Sequence, residues 1–341
     1  MPITPPDAAT CAAAIERSNG LAKPVGSLGR LEELGAWIAS CQGVCPPEPL
    51  DRVRAVILAG DHGVVTSGVS AYPKEVTVAM VRAFVAGIAA MNVLARQHGA
   101  QVRVLDIGVD DDLDGVPASV KAHKLTRGCG AIDVEDALTP SMTRAALEEG
   151  RAIAAEEVEA GAQLLILGDM GIGNTTPSAA LIASSLGLTA EQVTGAGTGL
   201  DAHGVAGKTE LIARALARVG DQVSDPISRL AALGSADLAA GVGFLAGAAE
   251  LGVPVLLDGV ICLAEALVAE EYAPGAKAWW RAGHRSTEPA QQFALDALGL
   301  TPILDLGMRL GEGSGAMAAV PMVRSGVAIL RDMALLSDLM G

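Results

Sequence analysis

The residues of this chain best placed to do chemistry are Gly311-Glu312-Gly313-Ser314-Gly315-Ala316. A lone carboxylate stands there among small side chains, after the apolar run 302–306 and before Ala316-Met317-Ala318-Ala319-Val320, which reads as a helix start. Glycines on both sides let the backbone approach a ligand and remove the bulk that would shield the acid. Glu312 is therefore expected on a flexible loop, exposed, as a general base. The competing reading makes it an acid serving the positive end of a helix dipole. The loop by itself leaves both open.

Other polar residues gather after apolar runs. Gly60-Asp61-His62-Gly63 follows the first run, and Gly68-Val69-Ser70-Ala71-Tyr72-Pro73 leads from it into a helix. His62 by itself reads as a hydrogen-bonded structural histidine; beside Asp61 at a strand end it becomes a site candidate. Gly168-Asp169-Met170-Gly171-Ile172-Gly173-Asn174-Thr175-Thr176-Pro177-Ser178 is suited to hold a phosphate, with Thr176 and Pro177 expected as N-cap and first position of the next helix. Unpaired amides at such a helix start face an anion, and the glycines allow close approach. Gly195-Ala196-Gly197-Thr198-Gly199-Leu200-Asp201 is a second such loop, with Lys208 in the helix that follows. In the third, Gly283-His284-Arg285-Ser286-Thr287-Glu288-Pro289, Arg285 and Ser286 could hold a phosphate or carboxylate. Asp258, in Leu257-Asp258-Gly259, reads either as a ribose binder or as a cap of the next helix.

Two nucleotide motifs are approached without being met. Ala202-x-x-x-x-Gly207-Lys208-Thr209 is a loose P-loop with Ala for its first Gly and no clear strand before it. It supports a P-loop-like nucleotide hydrolase, or a non-catalytic nucleotide-binding module, as the alternative function. The dinucleotide fingerprint fails on spacing in both Gly195-x-Gly197-x-Gly199 and Gly168-x-x-Gly171-x-Gly173.

The elements that must carry these loops alternate. Strand-like runs at 53–58, 102–107, 164–167, 253–257, 278–280 and 302–306 are separated by helical stretches at 74–97, 143–160, 178–186, 207–219, 236–250, 261–270 and 288–298. This predicts an α/β fold, a parallel sheet flanked by helices, with ligands beyond the carboxyl ends of the strands. The Pro-rich Cys45-Pro46-Pro47-Glu48-Pro49 marks a boundary. The stretch 314–340 reads as helical, broken near Pro321. The expected domains are a small helical one from residues 1–50 and 306–341, and a large α/β one from 51–305.

Composition limits the partners. The 341 residues carry a net charge of -15, which argues against nucleic acid and anionic membrane surfaces. Half the side chains are hydrophobic and only 2% aromatic, so the core is built from aliphatic residues and alanine around 41 glycines. The five cysteines, Cys11, Cys41, Cys45, Cys129 and Cys262, have no disulfide rhythm and suggest a reducing, cytoplasmic setting. Cys41-x-x-x-Cys45 lacks a second ligand pair, so no metal site is expected from it. No secretory signal is read at the N-terminus, and the uncharged stretch 170–190 is too polar for a membrane span.

Taken together, Ala59-Gly60-Asp61-His62-Gly63-Val64, the 168–178 loop, Gly197-Thr198-Gly199-Leu200-Asp201, Asp258-Gly259, the 283–289 loop and Arg309-Leu310-Gly311-Glu312-Gly313-Ser314-Gly315-Ala316 resemble the nicotinate-nucleotide:dimethylbenzimidazole phosphoribosyltransferase family, over nearly the whole chain. The resemblance implies a dinucleotide-binding (Rossmann-like) sheet, a small helical bundle from both termini, and a homodimer. It also implies transfer of phosphoribose from nicotinate mononucleotide to 5,6-dimethylbenzimidazole, without cofactor or metal, giving α-ribazole 5′-phosphate in cobamide synthesis. By motif position, Glu312 matches the family's base. Gly171, Gly173, Asn174, Thr175, Gly197, Thr198, Lys208 and Ser286 match its nucleotide-binding elements, and Ser70, Tyr72 and Met80 fall in a wall of the base pocket. Asp169 stands where some members carry Glu as a supporting acid, and is one methylene shorter.

Overall fold

Residues 3–340 are described by the computed structural model. Among them seven strands form: β1 (Val53–Gly60), β2 (Gln101–Gly108), β3 (Leu164–Met170), β4 (Val255–Leu257), β5 (Trp280–Ala282), β6 (His284–Ser286) and β7 (Leu304–Met308). The first five make one parallel sheet in the order β2-β1-β3-β4-β5, and β6 pairs in parallel with β7. Both faces are covered. Val56, Leu58, Leu165 and Leu167 pack into one core with the helices Pro140–Glu159, Ala236–Glu250 and Val260–Tyr272. Ala55, Ile57, Leu164 and Ile166 pack into another with Val81, Phe84, Met91, Met317 and Val320. Burial on both sides explains why these strands read as continuous apolar runs.

Several boundaries differ from the sequence reading. The stretch 74–97 is two helices, Glu75–Val85 and Ala90–Gln97, because Gly87 turns at φ +72° between them. That apolar stretch is long enough to cross a membrane, yet here the two helices lie beside the sheet. The run at 278–280 is largely a 3-10 turn, Ala276–Trp279, and the strand begins at Trp280. His284–Ser286, read as loop, is β6; the helix Pro226–Leu233 was not foreseen. Pro321 breaks nothing: the helix Ser314–Asp332 runs through it, and the separate helix is Leu336–Met340. A mid-helix proline costs about 3 kcal/mol, which burial of Met317, Val320, Val323 and Val327 offsets.

The terminal segments meet. The helices Arg30–Gln42 and Ser314–Asp332 cross so closely that a methyl at Gly35 would lie 2.6 Å from the Gly326 carbonyl oxygen. Ala14, Ala36, Ala39 and Leu330 form a separate small cluster there, and Leu21 bridges to Leu335.

Candidate active site

The sheet order places β1 and β3 side by side while the chain runs out to β2 between them, which makes a topological switch point where ligands of such sheets bind. A cavity of ≈ 600 Å³ opens beyond the carboxyl ends of β3 and β4. Of the residues expected in the site, Asp169, Gly171, Asn174, Thr175, Gly197, Thr198, Asp258, Ser286, Tyr72, Met80 and Glu312 line it. Gly173, Lys208 and Ser70 stand behind the lining.

Glu312 is held rather than presented freely. Gly311, Glu312 and Gly313 take φ values of 80°, 62° and 80°, three left-handed residues in succession. For a glutamate that conformation is strained by roughly 1–3 kcal/mol. Gly168 of β3 buttresses it, since a Cβ there would lie 2.7 Å from the Glu312 carbonyl carbon. The side chain is only 6% exposed, which corrects the expectation of an exposed acid. Its Oε2 has no hydrogen-bond partner among the described residues. Burial, and then the negative charge of Asp258, push its pKa up to about 7.

The helix that follows does not use Glu312 as its dipole partner. The amide of Gly313 donates to Asp258 Oδ2 at 3.0 Å, and those of Gly315 and Ala316 donate to Oδ1 at 2.8 and 2.9 Å. His284 Nε2 lies 3.4 Å from the same Oδ1. Asp258 thus caps a helix 55 residues further on, neither the adjacent helix nor a free ribose acceptor as the sequence suggested. Both of its oxygens are occupied, whereas the Glu312 carboxylate makes no hydrogen bond among the described residues.

On the opposite side the loops are tied together. The helix Thr175–Leu186 begins at Thr175, so Thr176 and Pro177 lie inside it rather than capping it. Lys208 Nζ donates to Thr175 Oγ1 at 2.7 Å. Thr198 Oγ1 accepts the Ala71 amide at 2.9 Å and lies 3.0 Å from Ser70 Oγ. The Gly197 amide donates to Glu288 Oε1, and Arg309 Nη1 to the Gly197 carbonyl, each at 2.8 Å. Lys208 is 1% exposed, and burial draws its pKa down to about 8 against the attraction of Glu288.

Arg309 and Glu288 line the cavity and had been assigned no role from sequence. Arg309 stands three residues before Glu312, and that proximity was the available signal. Arg285 is corrected: it pairs with Asp305 at 3.7 Å and is not among the lining residues. Asp169 shares the cavity lining with Glu312; its Oδ1 accepts from Asn174 Nδ2 at 2.7 Å, and Asp237 and His62 are the charged groups that act on it most strongly. Gly207-Lys208-Thr209 lies inside the helix Ala202–Val219, where no phosphate-wrapping loop exists, which removes the support for a P-loop hydrolase.

An open parallel sheet, an amide-rich strand-to-helix loop over a cavity beyond the strand ends, and a carboxylate facing that cavity are the parts that a nucleotide-using transferase needs. A phosphoribosyltransferase family model, DBI_PRT, matches residues 3–338. A protein of Mycolicibacterium paratuberculosis named nicotinate-nucleotide--dimethylbenzimidazole phosphoribosyltransferase is 55% identical, over 97% of this chain and 95% of that one. A protein of the same name from Mycobacterium avium is 54% identical, over 97% and 95%. The crystal structure of CobT from Thermus thermophilus superposes with a TM-score of 0.93 at 42% identity, covering 97% of this chain and 98% of that one. The chain belongs to the nicotinate-nucleotide–dimethylbenzimidazole phosphoribosyltransferase family.

Proposed function

We propose that this chain moves the 5-phosphoribosyl group of nicotinate mononucleotide onto 5,6-dimethylbenzimidazole, releasing nicotinate and giving α-ribazole 5′-phosphate, the activated lower ligand of cobalamin. The observation that carries the reading at residue level is the buried carboxylate of Glu312, unpaired at Oε2 and bordering the cavity.

The chemistry needs little else. The nicotinate ring nitrogen is positively charged while bonded to C1′, so the ring leaves with the bonding electron pair as a neutral pyridine and needs no acid. The incoming benzimidazole attacks C1′ through its bare ring nitrogen and carries N–H on the other. Glu312 takes that proton as the new bond forms, so positive charge does not build up on the ring. A β-nucleotide giving an α-product requires displacement with inversion, with the two bases on opposite faces of the ribose.

Positioning supplies the rest. The amides at Gly171, Gly173 and Thr175, at the start of the helix Thr175–Leu186, receive the 5′-phosphate, while the Asn174 amide closes the loop onto the Gly171 carbonyl at 3.1 Å. Thr198, Ser286 and Arg309 complete its surroundings, and Lys208 adds charge from behind Thr175. Holding C1′ in line between leaving and entering nitrogens contributes at most ~7–11 kcal/mol. Tyr72 and Met80 form a wall of the base pocket, with Ser70 tied to Thr198 behind it.

In this reading the helices of both termini form a small unit beside the α/β sheet domain, and the enzyme works as a cytoplasmic homodimer. Tyr72, Val85, Ile88 and Val93, between 40 and 71% exposed on one stretch of chain, supply an apolar face for a second copy. Five free cysteines fit a reducing compartment. Incubation with nicotinate mononucleotide and dimethylbenzimidazole, followed by chromatography for nicotinate, tests the activity. Mg²⁺-dependent ATP turnover without nicotinate release would contradict it.

A further inference from the structure

At the floor of the cavity, where Asp169 reaches the lining, lies a second polar cluster that the transfer chemistry does not use. His62 follows β1, Asp169 lies in β3, Asp237 begins the helix Ala236–Glu250, and Glu265 projects from the helix Val260–Tyr272. None is more than 3% exposed. Both ring nitrogens of His62, Oδ2 of Asp169, Oδ2 of Asp237 and both oxygens of Glu265 have no hydrogen-bond partner among the described residues. No described lysine or arginine forms an ion pair with any of the three carboxylates. Each buried polar atom left without a partner costs about 1–3 kcal/mol, so six in one place call for something that satisfies several at once.

The spacing distinguishes what that is. Ligand atoms of His62, Asp169 and Asp237 lie within 4.8 Å of one another. His62 Nε2 and Asp237 Oδ2 face each other as an ion pair at 3.3 Å, without a hydrogen bond of good geometry between them. That separation is long for a charge-assisted hydrogen bond, normally about 2.7–2.9 Å. It matches two ligands of one tetrahedral ion, since bonds of about 2.0–2.1 Å put neighbouring ligand atoms roughly 3.3 Å apart. The backbone has also been cleared for the acids. A methyl at Gly60 would lie 2.6 Å from Asp237 Oδ1, and one at Gly241 would strike the Glu265 carboxylate.

We propose that His62, Asp169 and Asp237, with Glu265 behind them, hold a first-row divalent cation of the Zn²⁺ or Co²⁺ type. One imidazole with carboxylates suits these ions better than Ca²⁺ or Mg²⁺, which favour all-oxygen cages. Asn174 fixes Asp169 from the far side at 2.7 Å, as outer partners of metal ligands do. The ion joins β1, β3 and a flanking helix under Gly171, where a Cβ would lie 2.7 Å from His62 Nε2. Its role is to fix the loop that receives the phosphate, not to take part in the transfer.

The test is titration of chelator-treated full-length protein with Co²⁺, followed by visible absorption and calorimetry. The site predicts one saturable equivalent per chain with d–d bands of nitrogen and oxygen ligation, displaced by Zn²⁺, and affinity lowered at least about 10-fold in His62→Gln and Asp237→Asn. Absence of saturable binding to the wild-type chain overturns the proposal, whether or not the variants fold. Binding that both folded variants retain at wild-type affinity overturns it equally, because the ion is then elsewhere.

Discussion

Asp258 takes the three amides at the start of the helix Ser314–Asp332 and thereby leaves Glu312, immediately before that helix, with an unengaged carboxylate. One acid does the structural work of the helix terminus, so that the other is available to a substrate. The same negative charge adds to burial in raising the Glu312 pKa.

Replacement of Asp258 therefore acts in two ways. Asp258→Asn loses charge-assisted bonds to the glycine loop and is expected to lower kcat about 10-fold or more, with a smaller effect on KM. It also removes a negative neighbour, so the acid limb of the pH profile moves to lower pH. Steady-state kinetics between about pH 5 and 9, spanning the range in which such limbs fall, check both; an unmoved limb contradicts the electrostatic link.

The pH dependence of kcat/KM has two predicted limbs. Glu312 must be deprotonated to act, so the rate climbs through about 7. Lys208 must be protonated to offer charge behind Thr175, so nucleotide binding weakens above about 8. The expected optimum lies between those values, with the alkaline limb absent in Lys208→Met. That variant should raise the KM for nicotinate mononucleotide roughly 10-fold.

Stability follows the same groups. A carboxylate whose folded pKa is raised contributes stability that is fully present below its unfolded value of 4.5 and lost as pH rises through about 7. Glu312→Gln should therefore melt higher than wild type at about pH 8, by an amount of order 2–3 kcal/mol at most, and show little difference at about pH 4. Thermal melts at the two pH values check the sign.

Gly168→Ala tests the contact between β3 and the Glu312 loop. The added methyl would lie 2.7 Å from the Glu312 carbonyl carbon, with no flexible side chain to give way. Overpacking of this kind costs about 1–3 kcal/mol. The loop is expected to shift, with kcat falling more than nucleotide affinity; unaltered kcat in a folded variant contradicts the buttress.

Much of this was legible in sequence because the strands are buried on both faces and stand out as apolar runs, as at 53–58 and 164–167. The glycine-rich loops after them were equally visible, since left-handed turns such as Gly173 demand glycine. What was hidden depends on contacts distant in the chain. Nothing near Asp258 announces that it caps a helix 55 residues on, and nothing near His62 announces Asp237. Local rules misled at Pro321, where packing outweighs propensity, and at Thr176, where the cap and first position of the helix fall two residues earlier than expected.

The central claim rests on Glu312 as the base, and the most direct measurement compares turnover of wild type and Glu312→Gln with nicotinate mononucleotide and dimethylbenzimidazole. Loss of about 10²–10⁴-fold in kcat, with nucleotide affinity and fold retained, is the predicted result. Near-normal turnover by a folded Glu312→Gln chain would contradict the account.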